Sequence, residues 1–195
     1  MCSSDLYESF YHGLVTSKLW LCEELEKILD ARNIDKPVMK ILGSWHNLLS
    51  FMMIVRRPTL YLKFDCYDKD PECKPIADQI CNTWYDIQEP IVRNYTADVL
   101  ALDFSQEMLN TIFINCSVDQ FENSSWYNTI TFGRIVCIQT TDIVDDSQDW
   151  EILQKTKNLR ELKARYPMTE VLFEGTKSMR YKDGSYNRLM LIGIK

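Results

Sequence analysis

A chain of 195 residues with 46% hydrophobic and 26% charged side chains has the length and composition of one soluble globular domain with a substantial core. Its formal net charge of −6 argues against an extended footprint on nucleic acid. No stretch approaches the roughly 18 apolar residues of a membrane span, and Met1–Tyr7 lacks the basic and apolar pattern of a secretion signal, so a cytoplasmic location is expected.

Residues 4–31 carry apolar side chains near helical spacing, from Leu6 to Leu29, with Glu23, Glu24 and Glu26 on the polar side. Gly13 and Thr16–Ser17 interrupt that pattern, and Ser17 is a capping residue type. Two helices are therefore expected, about 5–12 and 17–31, forming a cap over residues 1–33. Val38–Leu42 reads as an apolar strand, Gly43 as a tight turn, and the run through Phe51–Val55 as a helix. After Pro58, Thr59–Phe64 reads as a second strand ending in the acids Asp65 and Asp68.

Strand, glycine turn, helix, strand, acid is the layout of a nucleotide-binding βαβ unit. There the turn lets backbone approach the ligand, and the acid accepts hydrogen bonds from ribose hydroxyls. The interval from Gly43 to Asp68 is close to the ~20 residues expected for such an acid. A helix over 71–87 follows, opened by Pro71, with Ile76, Ile80 and Trp84 as its inward stripe. The next strands are 92–96 and Thr111–Asn115, the second ending in Asn115-Cys116-Ser117, where α/β folds place ligand contacts.

A short helix over 121–130 and a turn at Phe132–Gly133 lead into a strand over 134–139. The acidic stretch Thr140–Asp149, with Asp142, Asp145, Asp146 and Asp149, reads as a solvated loop, and a long amphipathic helix over 149–165 ends at Pro167. Runs at 170–174 and 188–195, joined through Lys182-Asp183-Gly184-Ser185, close the chain as a hairpin. The whole of 1–195 reads as one domain, with 1–33 a helical cap and 38–195 an α/β core.

Five alternating units followed by a long hairpin resemble the class I S-adenosylmethionine-dependent methyltransferase fold, over nearly the whole chain from residue 38. More closely, Leu42–Asn47, Tyr67–Cys73, Ile114–Ser117 and Tyr166–Met168 resemble motifs of uncharacterised methyltransferase-like proteins of tailed bacteriophages. The resemblance implies a Rossmann-like, mostly parallel seven-stranded sheet with helices on both faces and a C-terminal antiparallel β-hairpin. It also implies S-adenosyl-L-methionine as cofactor, and transfer of its methyl group to a small-molecule or macromolecular acceptor. For a viral protein the cytoplasm is the host's.

Residue by residue, the resemblance assigns Leu42, Gly43, Ser44 and Trp45 to the methionine portion of the cofactor. It gives the ribose hydroxyls to Asp68, with Asp65 as the alternative, and the adenine to Asp98 and Val99. Asn115 and Ser117 orient the acceptor, Asn115 also touching the cofactor. One glycine, Gly43, stands where typical members carry two or three, with Ser44, Trp45 and Asn47 filling the rest. Nicotianamine-synthase-like enzymes, which transfer the aminobutyryl arm of the same cofactor, also resemble this fold. A non-catalytic module that engages a partner through its acidic surface is the third reading.

The remaining reactive residue types carry less. The seven cysteines are odd in number and scattered, which reads as reduced, buried thiols rather than a disulfide framework. Cys116 has no basic sequence neighbour to make it a nucleophile. His12 and His46 are the only histidines, and no zinc-ligand spacing is present. Trp84, Trp126 and Trp150 read as packing residues. Tyr11, His12, Lys18 and Trp20 form a polar-aromatic cluster suited to lining an acceptor pocket under the cap.

Overall fold

The computed structural model describes residues 9–82, 91–143, 152–181 and 184–195. Strand β1 (Val38–Leu42) is buried at all five positions and lies between β2 (Lys63–Asp68) and β4 (Thr111–Asn115). With β3 (Val92–Thr96), β5 (Ile135–Thr141), β6 (Glu170–Tyr181) and β7 (Gly184–Ile194), they form one sheet in the order β3-β2-β1-β4-β5-β7-β6. The first five strands are parallel, and β7 runs antiparallel between β5 and β6. The chain winds outward from β1 to β3 and then returns to β4. That reversal opens a crevice at the carboxyl ends of β1 and β4, the position where open α/β sheets bind ligands.

Alternation along the strands divides the core into two layers. Met39, Ile41, Ile112, Ile114, Cys137, Met190 and Ile192 face one layer. Trp20, Leu21, Leu25 and Leu29 of α1 (His12–Ala31), Leu49 and Met53 of α2 (Leu48–Arg56) and Cys81 of α3 (Cys73–Asn82) pack on it. Leu42, Phe113, Val136, Ile138, Leu189 and Leu191 face the other layer, against Trp126 and Tyr127 of α4 (Ser125–Thr129), Leu162 of α5 (Leu159–Arg165), and Tyr166. Among the described residues no helix is long and apolar enough to cross a membrane.

Several elements lie elsewhere than their local patterns suggest. The amino-terminal break falls inside a helix: α1 runs unbroken from His12, and residues 1–8 lie outside the described residues. Ser17 caps nothing. It is buried, its hydroxyl donating to Gln139 Oε1 at 3.0 Å while Gln139 Nε2 donates to its carbonyl at 3.1 Å. Gly13 is in the helix because the chain packs closely there: a Cβ would sit 2.9 Å from the Tyr186 hydroxyl.

The second strand is Lys63–Asp68, not 59–64. Its mid-strand carboxylate, Asp65, is buried beside Lys40 of β1 at 3.4 Å and Lys63 at 3.0 Å. Lys40 also reaches Glu107 at 3.0 Å and the Tyr67 hydroxyl at 3.0 Å. Ion pairing in the sheet lets a charged sequence take the strand, while apolar Tyr61 packs from the preceding loop on Phe64 with ring centroids 5.0 Å apart.

Helix α3 buries Cys73, Ala77 and Cys81, so its inner face is rotated one position from the expected stripe; Ile76 and Ile80 are half-buried, and Trp84 lies outside the described residues. The helix expected over 121–130 reduces to α4, and a 3-10 turn at Val118–Gln120 precedes that span. That over 149–165 reduces to α5, capped by Asn158, whose side chain accepts from the Glu161 amide at 3.0 Å. Residues 144–151, including Asp145, Asp146, Asp149 and Trp150, lie outside the described residues, as do Lys182 and Asp183 of the hairpin turn. Asp142 is no solvated loop acid: its two oxygens accept from the Asn187 amide and side chain, both at 2.8 Å.

Six cysteines of the described chain are free and buried. Burial pushes Cys22 up to about 12, and burial does the same for Tyr127. Both groups stay protonated in the folded chain at pH values where their unfolded counterparts ionise. Their contribution is complete below pH ~9 and is lost as pH rises towards ~12, by at most about 1.4 kcal/mol per pH unit for each group. The urea midpoint is expected to fall between pH 8 and pH 10.5, less steeply in Cys22→Ala; equal midpoints at the two pH values would contradict this burial.

Candidate functional site

Past Leu42 the backbone turns through three left-handed residues in alternation, Gly43 (φ 70°), Trp45 (φ 49°) and Asn47 (φ 57°). A non-glycine side chain in that region carries strain that surrounding contacts must hold. Here they do. The Gly43 and Ser44 amides both donate to the Tyr67 carbonyl at 2.9 Å, and the Trp45 amide donates to Asp68 Oδ2 at 2.7 Å. Asn47 is fully buried and donates to Asn94 Oδ1 at 2.8 Å. The end of β2 therefore fastens the turn after β1. The amides of Gly43, Ser44 and Trp45 are thus all bonded within the protein.

Asp68 is fixed as well, its Oδ1 accepting from the Asp70 amide at 3.0 Å. One hydrogen bond on each oxygen leaves acceptor capacity on both, since an ionised carboxylate has about four lone-pair sites. The Asp68 carbonyl takes the Ala97 amide at 2.8 Å, tying β2 to the segment after β3. There Asp98 caps the short 3-10 turn Val99–Ala101, accepting from the Leu100 amide at 2.9 Å. After β4, Asn115 is fully buried, and its Oδ1 accepts from the Ser117 amide at 3.0 Å. Asp119 accepts the Thr141 amide and hydroxyl on Oδ2, at 3.3 and 2.9 Å, and its carbonyl holds the Leu153 and Gln154 amides.

These segments enclose a cavity of about 390 Å³ at the carboxyl ends of the strands, within the ~300–1,000 Å³ of sites that take small molecules and cofactors. Gly43, Ser44 and Trp45 line it from β1, Asp68 from β2, Asp98 and Val99 from β3, and Cys116, Ser117 and Phe121 from β4. Tyr11, Leu14 and Lys18 close it from the cap side, with Thr141, Ile152, Tyr186 and Arg188 at the β5–β7 end. The Phe121 ring covers the glycine turn: a Cβ on Gly43 would lie 3.0 Å from its Cε2.

No family model matches the chain, and no curated protein matches it by sequence. Solved structures do match. An S-adenosylmethionine-dependent methyltransferase from Clostridium acetobutylicum ATCC 824 superposes with a TM-score of 0.63 at 10% identity, over 97% of each chain. Magnesium protoporphyrin IX methyltransferase from Synechocystis PCC 6803, solved with bound SAM, gives 0.61 at 10% identity, over 93% of this chain and 82% of that one. TehB from Haemophilus influenzae gives 0.59 at 13% identity, over 86% and 62%. The chain shares the methyltransferase fold.

On that fold, seven of the nine residues expected at the site line the cavity: Gly43, Ser44, Trp45, Asp68, Asp98, Val99 and Ser117. Leu42 points instead into the core layer with Phe113 and Val136, and Asn115 lies behind the wall, setting Ser117. Asp65, the alternative acid, is mid-strand in its ion pairs and does not reach the cavity. Of the cap cluster, Tyr11 and Lys18 line the cavity. His12 is exposed, and Trp20 packs edge-on against Phe173 at 5.9 Å.

His46 stacks on Trp45 at 4.8 Å, with its Nδ1 2.7 Å from the Ser9 hydroxyl; it braces the turn and does not line the cavity. Burial raises the pKa of Cys116 against the opposing charges of Lys18 and Arg188, which keeps it a thiol. Among the described residues no three His, Cys, Asp or Glu side chains are placed to hold a metal ion. Sequence reading missed Phe121, Asp119, Thr141, Ile152, Tyr186 and Arg188. The last two arrive from β7, more than a hundred residues after the turn, and no local motif marks them.

Proposed function

We infer that the chain is an S-adenosylmethionine-dependent methyltransferase whose acceptor is a small molecule or macromolecule of unassigned identity. The observation that carries this reading is the cavity itself. It lies at the strand-order reversal of a methyltransferase fold, with a carboxylate after β2 and another after β3 on its wall. The residues fit the group: Asp68 keeps acceptor capacity for ribose hydroxyls, Asp98 and Val99 offer an acid beside an apolar surface for adenine, and Ser44 and Trp45 border the methionine end. The two S-adenosylmethionine-bound and S-adenosylhomocysteine-bound forms of the Synechocystis enzyme support the choice of cofactor.

Bound S-adenosylmethionine supplies a methyl group already activated on a sulfonium, which leaves alignment and water exclusion to the protein. Ser117 presents its hydroxyl to the acceptor, and Asn115 acts through it by holding its amide. Tyr11 and Leu14 of the cap close the cavity over the reacting groups. The motif resemblance to phage methyltransferase-like proteins extends the reading to the cytoplasm of a phage host.

Calorimetric titration with S-adenosylmethionine and S-adenosylhomocysteine tests it, followed by an acceptor screen that reads S-adenosylhomocysteine as product. Methylthioadenosine as product indicates aminobutyryl transfer, and a chain that binds neither compound is not this enzyme. Asp68→Ala is expected to weaken binding of S-adenosylmethionine by about 1.5–3 kcal/mol, the range for hydrogen bonds to a charged group. Unchanged affinity in the folded variant would remove Asp68 from the ribose.

A further inference from the structure

Charge is unevenly spread round the cavity: Asp68, Lys69, Asp70 and Asp98 line it after β2 and β3, Asp119 and Glu122 after β4, while Lys18 faces it from the cap side and Arg188 from the β5–β7 end. Arg188 projects from β7 opposite Thr141 of β5 and is only 5% exposed. One of its terminal nitrogens donates to the Cys116 carbonyl, but its Nε is buried and has no hydrogen-bond partner among the described residues. An unmade hydrogen bond from a buried guanidinium is costly, and the group does not escape by losing its proton.

Lys18 faces the same space from α1, and among the described residues its ammonium has neither a hydrogen bond nor an ion pair. Burial lowers its pKa; the Cys116 thiol opposes this, and the Arg188 charge adds to it. Of the two acids that line the cavity after β4, Asp119 is occupied by the Thr141 amide and hydroxyl, and Glu122 is exposed. Half-buried Lys18 and buried Arg188, of like sign, thus face one region of the cavity, and among the described residues neither is paired with a carboxylate. Proteins rarely bury charge in this way without a counter-charge.

We propose that the methyl acceptor carries an oxyanion, a carboxylate or a phosphate, that seats between Lys18 and Arg188. Such a group gives Arg188 Nε its acceptor, gives the Lys18 ammonium a counter-charge, and holds the acceptor away from Asp68 and Asp98. The assignment of this anion to the acceptor rests on the cofactor reading above, because the cofactor brings a carboxylate of its own.

The test titrates benzoate and inorganic phosphate, each with saturating S-adenosylhomocysteine, into the full chain and into Lys18→Gln and Arg188→Lys. Wild type is expected to bind at least one of the two anions. Lys18→Gln should weaken that binding about tenfold or more, the loss of one charge-assisted hydrogen bond, with affinity for S-adenosylhomocysteine unchanged. Arg188→Lys, which keeps the charge but loses the forked donor, should also weaken it.

Equal anion affinity in wild type and Lys18→Gln overturns the proposal, as does the absence of anion binding to wild type. A parallel loss of S-adenosylhomocysteine affinity in Lys18→Gln also overturns it, by giving these cations to the cofactor's carboxylate. A wild type that binds anions but no S-adenosylhomocysteine leaves the oxyanion site standing and defeats the cofactor reading instead.

Discussion

Gly43→Val protein is expected to lose binding of S-adenosylmethionine by on the order of a hundredfold and to unfold at a lower temperature than wild type. Two separate causes act at this position. The backbone there has φ 70°, a conformation that a β-branched residue adopts only under strain. In addition, the new Cβ lies 3.0 Å from Phe121 Cε2 and 3.2 Å from its Cζ, so the ring must give way. Either response moves the turn that Tyr67 and Asp68 fasten, and with it the wall that Ser44 and Trp45 present.

Gly43→Ala with Phe121→Ala separates the causes, since it removes the ring but keeps the backbone strain. Binding that stays weak in the double variant assigns the effect to the turn, and recovery assigns it to the ring. Folded Gly43→Val protein that binds as tightly as wild type would sink the place of this turn in the site.

The largest loss of stability is expected from Trp126→Ala. Trp126 of α4 is fully buried against the sheet, with ring centroids 5.8 Å from Tyr166, 5.9 Å from Tyr127 and 6.3 Å from Phe121. Truncating a buried tryptophan costs about 3–5 kcal/mol, part of it the cavity left behind. At roughly 2–4 °C per kcal/mol for a chain of this size, the thermal midpoint should fall by about 6–20 °C. Trp126→Phe should recover most of that, because the remaining ring fills much of the space. Since Trp126 also backs Phe121, the alanine variant should bind the cofactor less tightly even where it is still folded. A midpoint shift below about 2 °C would mean that the layer repacks freely around the gap.

These two positions mark the limits of what local sequence conveys. Uncharged apolar runs such as Thr111–Asn115 and the positions following Arg134 were legible because burial on both faces demands them. β2 was misplaced by four residues because its interior is held by the Lys40–Asp65 and Lys63–Asp65 pairs, which a count of apolar residues cannot register. Ser17 looked like a cap because its partner, Gln139, lies 122 residues away. The half of the site built on β1, β2 and β3 was readable, since each contribution follows directly after a strand. Phe121 and Arg188 were not, for they enter only once β4 and β7 stand in one sheet.

The placement of β7 between β5 and β6 also governs how the sheet opens. In the hydrogen-bonded ladder β6 is joined through β7 alone, across eleven aligned pairs, and outside the ladder it is steadied by α1 contacts such as that of Trp20 with Phe173. β6 can therefore detach while β5 and β7 stay paired, whereas β7 cannot leave without taking β6 with it. Amide exchange should record this as a nested series, with β6 protons lost through shallow openings and β7 protons only through deeper ones. Arg188 belongs to the deeper unit. The end of the cavity that Arg188 lines thus keeps its shape through fluctuations that fray the sheet's edge.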